Sequence, residues 1–146
     1  METVTSQDGT RIAFDRIGQG PPVVLVGGAF SYRLFPKMVE LAELLAERFT
    51  VLNYDRRGRG DSSDTPPYAI DREIEDLHAL VGTVGGSASL SGWSSGGVLA
   101  LRAAAAGVPV DRIAVYEPPF VVDRSGHVPV DLPVEAIVAD EARQQG

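Results

Sequence analysis

Short apolar runs alternate along this chain with longer segments whose apolar residues recur at helical spacing. Residues 23–26 and 50–54 are nearly continuous apolar runs, typical of strands buried on both faces of a sheet. Residues 34–49 and 70–84 carry apolar side chains on one helical face and charged side chains on the other. This alternation predicts an α/β fold with a mostly parallel sheet and helices on both of its faces.

Further elements extend the pattern towards both ends of the chain. Strands predicted at 4–6 and 11–17 flank Asp8-Gly9, a dipeptide typical of hairpin turns. A strand is predicted at 87–91, a helix at 98–106 that Gly107 closes, and a last strand at 111–116. Beyond residue 121 the sequence becomes polar and proline-broken, with one helix-like stretch at 134–143.

A serine stands at one predicted junction between a strand and a helix. Residues 92–96, Gly-Trp-Ser-Ser-Gly, match the pattern Gly-x-Ser-x-Gly with Ser94 in the central position. In that pattern a sharp turn exposes the serine hydroxyl at the carboxyl edge of a sheet, and the glycines permit the turn and close helix packing. The spacing predicts that Ser94 is a nucleophile.

Two other segments follow predicted buried strands. After residues 23–26 comes Gly27-Gly28-Ala29, where a backbone N–H could meet the oxyanion of an acyl-transfer intermediate. We expect the N–H groups of Ala29 and Ser95 to form this pair, each worth on the order of 3 kcal/mol. The charged turn at 53–62 lacks the ending of a phosphate-binding loop, so we expect a glycine-permitted turn with Asp55 and the arginines in local ion pairs.

Composition narrows the class of protein. The chain has 146 residues, 44% of them hydrophobic, a net charge of −7 and no cysteine. The negative charge argues against a nucleic-acid partner, and the lack of cysteine and of suitably spaced histidines argues against a metal site. Together with the predicted nucleophile Ser94, we expect a small-molecule substrate and no cofactor. The N-terminus lacks the build of a signal peptide and no apolar run could span a bilayer, so we expect a soluble, cytoplasmic protein without a membrane partner.

Taken in order, the segments at 27–29, 54–62 and 92–97 resemble the α/β-hydrolase family. Serine rather than aspartate at 94 resembles its esterase and haloperoxidase side. Gly27 stands where the family commonly has histidine. This departure is of small consequence, because the hydrogen-bond donor expected in this loop is a backbone N–H and not a side chain. The resemblance implies an ester or related acyl substrate, a partial hydrolase core at 1–120 that lacks the C-terminal strands, and the start of a cap at 121–146.

The family places an acid and then a histidine after the serine. The candidates after Ser94 are Glu117, Asp123 and His127, whereas His78 precedes it inside a predicted helix and is expected to be a surface or half-buried residue. We expect the working base and acid to lie outside this chain, which would then be truncated within the cap.

Two alternatives remain open. One is a non-catalytic binding module or degenerate remnant that keeps the pocket without turnover. The other is a cofactor-free perhydrolase or haloperoxidase that uses the same serine. Whichever of these functions applies, the strand at 113–116 would lack the neighbouring seventh strand that the family has, and we expect its open edge to allow self-association or capture of a partner.

Overall fold

The computed structural model describes residues 1–120. Within them no helix is long and apolar enough to cross a membrane. In chain order the elements of this part are β1 (Glu2–Thr5), β2 (Arg11–Ile17), β3 (Pro22–Val26), α1 (Pro36–Ala46), β4 (Thr50–Tyr54), α2 (Ile70–Gly82), β5 (Ala88–Trp93), α3 (Ser95–Ala105) and β6 (Val110–Tyr116).

The strands form one sheet in the order β1-β2-β4-β3-β5-β6. β3 lies parallel to both β4 and β5, and β5 lies parallel to β6. β1 and β2 form the expected hairpin, and β2 continues antiparallel to β4. The predicted α/β fold with a mostly parallel sheet is therefore confirmed.

The helices cover the sheet on both faces. Successive side chains of a strand point to opposite faces, so a continuous apolar strand needs cover on each of them. Val23 and Leu25 of β3 pack with residues of α1. Val24 and Val26 belong to the larger core cluster on the other face, with apolar residues of α2 and α3. The continuous apolar run of β3 thus serves two cores at once.

Most element boundaries differ from the prediction by one to three residues, and two of these differences bear on the site. α1 begins at Pro36 rather than at 34, because a residue before proline is disfavoured in helical conformation, and Phe35 is extended with φ −62° and ψ 127°. β5 runs two residues beyond 91, since Gly92 pairs with Val26 and Trp93 with Tyr116. The strand therefore reaches the residue directly before Ser94. The helix expected at 134–143 and the cap expected at 121–146 lie outside the described residues.

β6 forms an open edge in the part of the chain that the structure describes. It pairs with β5 on one side and ends the strand order on the other. Its side chains are poorly covered, with Val115 41% and Tyr116 61% exposed. The edge has the apolar, unpaired character that the sequence led us to expect, while its use by a partner stays a prediction.

Candidate active site

Ser94 occupies a strained turn between β5 and α3. Its φ of 54° and ψ of −123° lie outside the regions that L-residues normally populate. Its N–H donates to the carbonyl oxygen of Tyr116 at 2.9 Å, and its own carbonyl oxygen accepts the N–H of Gly97 at 2.9 Å. The sharp strand-to-helix turn is as predicted, although the Ser94 side chain is half-buried rather than fully exposed.

Two glycines of the motif are required by close backbone approaches. A Cβ on Gly92 would meet the Cα of Gly97 at 2.5 Å, and a Cβ on Gly96 would overlap the carbonyl oxygen of Val26. The first turn of α3 therefore rests directly against β5 and against the end of β3. This is the close helix packing that the glycine spacing predicted, and it brings the loop after β3 beside Ser94.

The segment at 27–29 runs along the serine. A Cβ built on Gly28 would lie 3.4 Å from the Cβ of Ser94 and 4.0 Å from its Oγ. Ala29, the next residue, is exposed, and Ser95 begins α3 on the other side of Ser94. The first N–H groups of a helix have no acceptor within that helix. Ser95 is the first residue of α3, so its N–H is one of these groups. The two expected oxyanion donors thus lie in segments that both adjoin the serine.

Arg56 joins three elements around this junction. Its Nε and Nη2 each donate to a carboxylate oxygen of Glu73 on α2 at 2.5 Å. Its Nη1 donates to the carbonyl oxygen of Gly27 and to the Oγ of Ser95, both at 3.2 Å. Glu73 also accepts the hydroxyl of Tyr68 at 2.8 Å. The Arg56–Glu73 pair therefore ties the end of β3 and the start of α3 to α2.

Arg56 and Glu73 are both buried, with 6% and 2% of their surfaces exposed. Burial acts to raise the pKa of the Glu73 carboxyl, but the hydrogen bonds and charge of Arg56 outweigh it, and the net pKa is lowered. Burial likewise opposes the charge of Arg56, while Glu73 raises the net pKa of its guanidinium. Each group is therefore kept ionised by the other.

The turn after β4 has the tight geometry expected of it. Gly58 and Gly60 have φ of 73° and 50°, and a Cβ on Gly60 would overlap the Asp55 carboxylate. That carboxylate accepts the backbone N–H groups of Arg33 at 2.7 Å and of Asp61 at 3.0 Å. Asp55 thus serves as an internal acceptor that holds the turn closed.

The expectation of local ion pairs in this turn was wrong. Arg57 donates to both carboxylate oxygens of Asp76 on α2, at 2.7 and 2.8 Å, and to Asp8 in the β1–β2 turn at 2.9 Å. Asp55 instead lies 3.4 Å from the Nε of Arg33, which precedes α1. Arg56 and Arg57 are both buried, and the carboxylates that pair with them lie on α2 and in the β1–β2 turn.

Arg59 is the third arginine of the turn and contacts the loop beside the serine. Its Nη1 donates to the carbonyl oxygen of Gly28 at 2.7 Å. The side chain is half-buried, and burial together with the nearby charge of Arg56 lowers the pKa of its guanidinium. A cation is therefore held next to the expected oxyanion loop.

The acid and base candidates are not assembled within residues 1–120. His78 is exposed on α2 and lines a surface groove with Ala106–Val108, beyond the C-terminal end of α3. The 11 residues of α3, about 16 Å at ~1.5 Å per residue, separate that groove from Ser94. Glu117 directly follows β6 near Ser94 but is exposed, with φ 46°. Asp123 and His127 lie outside the described residues.

A Gly-x-Ser-x-Gly turn at the carboxyl edge of a mostly parallel sheet, with a second loop beside the serine, defines an α/β-hydrolase core. The model of the alpha/beta hydrolase family matches residues 23–141. The chain therefore belongs to this family.

Individual relatives agree with this assignment. An alpha/beta hydrolase structure from Sphaerobacter thermophilus is 56% identical, with a TM-score of 0.81, over 97% of this chain and 56% of that one. A thermophilic esterase from Thermogutta terrifontis, solved with malate bound, is 29% identical, with a TM-score of 0.71, over 85% of this chain and 47% of that one. The probable oxidoreductase EphD of Mycobacterium tuberculosis is 42% identical over 85 residues, 54% of this chain and 14% of that protein. The chain thus spans about half the length of the two solved relatives and a small part of EphD.

Sequence reasoning missed the ion pairs that surround the site. A signal was present, because Glu73 and Asp76 are three residues apart and so share one face of a helix. Two adjacent arginines close to the end of a buried strand could have been matched to that acidic pair. Carboxylates near the start of a helix also complement the helix dipole, and that role requires no specific partner.

Proposed function

We propose that this chain is a serine hydrolase whose Ser94 attacks the carbonyl carbon of an ester or related acyl substrate. The observation that carries this proposal is the conformation of Ser94, with φ 54° and ψ −123° at the strand-to-helix turn. Such a backbone costs about 1–3 kcal/mol, persists only where its surroundings impose it, and is concentrated at active sites. Here the backbone packs closely at Gly92 and at Gly96, on either side of the serine.

In this proposal the amides of Ala29 and Ser95 hold the oxyanion that forms when Ser94 attacks. Gly28 lies against the Ser94 side chain, so the loop that carries Ala29 lines the same small region. The start of α3 adds a partial positive charge, which favours a developing negative charge. Donors fixed by the fold need no reorganisation when the oxyanion forms, and this is their catalytic advantage.

A serine hydroxyl also needs a base and a group that orients the base. Residues 1–120 contain one histidine, His78, which lies at the far end of α3 from Ser94. The proposal therefore takes its base from outside residues 1–120. His127 is a candidate base, and Glu117 and Asp123 are candidate acids.

The relatives support ester chemistry without fixing the substrate. The Thermogutta terrifontis protein is named as an esterase. EphD is named as a probable oxidoreductase, so family membership does not by itself select one reaction. The choice of hydrolysis rests on the serine in the nucleophile position and on the donors around it.

The test is covalent labelling of the full chain with a fluorophosphonate, with and without added imidazole as an external base. We expect an adduct on Ser94 whose rate of formation rises with imidazole, located by peptide mapping. Ser94→Ala should abolish the adduct, while Ser87→Ala, at the opposite end of the β5 segment, should leave it intact. An adduct spread over several serines, or labelling unchanged by Ser94→Ala, would contradict the proposal.

The second candidate is a non-catalytic binding module, and the position of His78 is the observation that favours it. If fluorophosphonate labels no residue at any imidazole concentration while the chain remains folded, this candidate replaces the first. Perhydrolase chemistry at the same serine is tested by adding hydrogen peroxide and an acyl donor and measuring peracid.

A further inference from the structure

The carbonyl oxygen of Gly28, in the loop beside the serine, is held by three hydrogen-bond donors. The backbone N–H and the hydroxyl of Ser31 donate to it at 3.3 and 3.1 Å, and Nη1 of Arg59 donates to it at 2.7 Å. The bond from Arg59 is the shortest of the three and comes from a charged group. Charge-assisted hydrogen bonds are roughly twice as strong as those between neutral groups. Arg59 therefore contributes most to fixing this carbonyl.

Arg59 reaches the carbonyl from a turn that is itself fixed. Its backbone N–H donates to the carbonyl oxygen of Arg56 at 3.1 Å, and its own carbonyl oxygen accepts the N–H of Ser62 at 3.0 Å. The side chain between this backbone and Gly28 is half-buried. Because hydrogen bonds hold both ends of Arg59, its guanidinium has a defined position relative to the loop at 27–29.

The N–H group of the same peptide belongs to Ala29. The Gly28–Ala29 peptide is trans, so its C=O and N–H point in opposite directions, and a donor that holds the oxygen also sets the direction of the N–H. Hydrogen bonds in series polarise one another, so a charged donor at the oxygen makes the N–H a stronger donor. No carbonyl oxygen in residues 1–120 accepts the Ala29 N–H, which leaves this group for a ligand.

We propose that Arg59 is a positioning residue that orients and polarises the Gly28–Ala29 peptide, so that the Ala29 N–H holds the oxyanion formed when Ser94 attacks. This inference rests on the proposed function and adds to it a residue that touches no substrate atom. The guanidinium lies at the oxygen end of the peptide dipole, and the oxyanion lies at its N–H end. The dipole and the cation behind it therefore both stabilise the negative charge.

The test separates binding from reaction in the full chain. Fluorophosphonate labelling with added imidazole, followed over a range of inhibitor concentrations, gives the affinity KI and the maximal rate kinact. Negative charge grows on the phosphonyl oxygen only as Ser94 attacks, so Arg59→Gln should lower kinact about tenfold and leave KI within about twofold. The loss should be smaller than the ~10²–10³ of removing an oxyanion donor outright. Arg59→Lys, which keeps a cation on a long side chain, should restore most of kinact.

Two control variants separate charge from hydrogen bonding in general. Ser31→Ala removes a neutral hydroxyl donor from the same carbonyl oxygen, and we expect it to lower kinact less than Arg59→Gln does. Arg112→Gln removes an equal charge from an exposed position near the start of β6, and we expect it to change neither constant. A loss in Arg112→Gln that equals the loss in Arg59→Gln would overturn the inference. A KI that rises as kinact falls, or a loss that Arg59→Lys leaves in full, would overturn it too.

NMR of the ¹³C,¹⁵N-labelled chain reads the polarisation without any inhibitor. The carbonyl carbon of Gly28 and the amide nitrogen of Ala29 should both shift upfield in Arg59→Gln and return in Arg59→Lys. In the unsubstituted chain a scalar coupling should connect Nη1 of Arg59 to the carbonyl carbon of Gly28 across their hydrogen bond. Unchanged shifts or a missing coupling would refute the role of Arg59. Failed labelling of the parent chain would instead refute the hydrolase proposal, and the NMR result would still decide whether Arg59 polarises this peptide.

Discussion

The buried pair of Arg56 and Glu73 makes the sharpest prediction about stability. Replacing Arg56 with methionine leaves the Glu73 carboxylate 2% exposed and without the two hydrogen bonds of 2.5 Å that hold it. Removing one partner of a buried ion pair costs about 3–5 kcal/mol in free energy of unfolding. A domain is typically stable by only ~5–15 kcal/mol, so Arg56→Met should bring this chain close to unfolding.

The double variant Arg56→Met/Glu73→Leu separates pairing from burial. With both charges gone no buried ion is left unpaired, and an apolar pair of similar volume is often as stable as the ion pair it replaces. We expect the double variant to recover most of the lost stability. The remaining deficit reflects the bonds that Arg56 makes to Gly27 and Ser95.

The assay is urea unfolding followed by the fluorescence of Trp93, the single tryptophan, which directly precedes Ser94. Lys37→Met is the control, because it breaks the Lys37–Glu40 pair, whose side chains are 66% and 59% exposed. Exposed pairs often contribute nothing measurable. If Arg56→Met costs less than about 1 kcal/mol, or if the double variant is no more stable than Arg56→Met, the reasoning about this pair is wrong.

Four further predictions follow from the site and its surroundings. Purified chain without added imidazole should show negligible turnover of an activated ester, because no base adjoins Ser94 within residues 1–120; robust turnover lost in both Ser94→Ala and His127→Ala would contradict this and identify the base. Gly96→Ala should destabilise the chain strongly in thermal melts, because its Cβ would overlap backbone of β3, and a variant as stable as the parent would refute the close approach. The pKa of Asp8 is lowered by its hydrogen bonds with Arg57, so it contributes stability at pH values above its unfolded pKa of ~3.9 that is lost as pH falls below it; the stability gap to Asp8→Asn in urea melts should therefore close under acid, and a gap independent of pH would contradict the linkage. Light scattering should show association that grows with concentration and weakens in Val115→Lys at the open edge of β6, whereas a clean monomer with a concentration-independent melting temperature would refute the prediction.

Local sequence determined the order of elements and the position of the serine turn. Strand and helix patterns have short periods, and Gly-x-Ser-x-Gly spans five residues, so neighbouring positions hold all the information. The requirement for glycine at 92 and 96 could be predicted for the same reason. The start of α1 at Pro36 was also within reach, since the restriction that proline places on Phe35 is local.

Only the tertiary structure decided which charges meet. Arg56 and Glu73 are 17 residues apart, and Arg57 and Asp8 are 49 apart, so their pairing depends on how strands and helices assemble. Charge pairs in a sequence have many possible partners, and desolvation selects among them only after the core forms. The approach of both Arg59 and Ser94 to Gly28 has the same origin. The sequence therefore identified the candidate nucleophile, while the packing of β3, α2 and α3 determined the charged surroundings in which it lies.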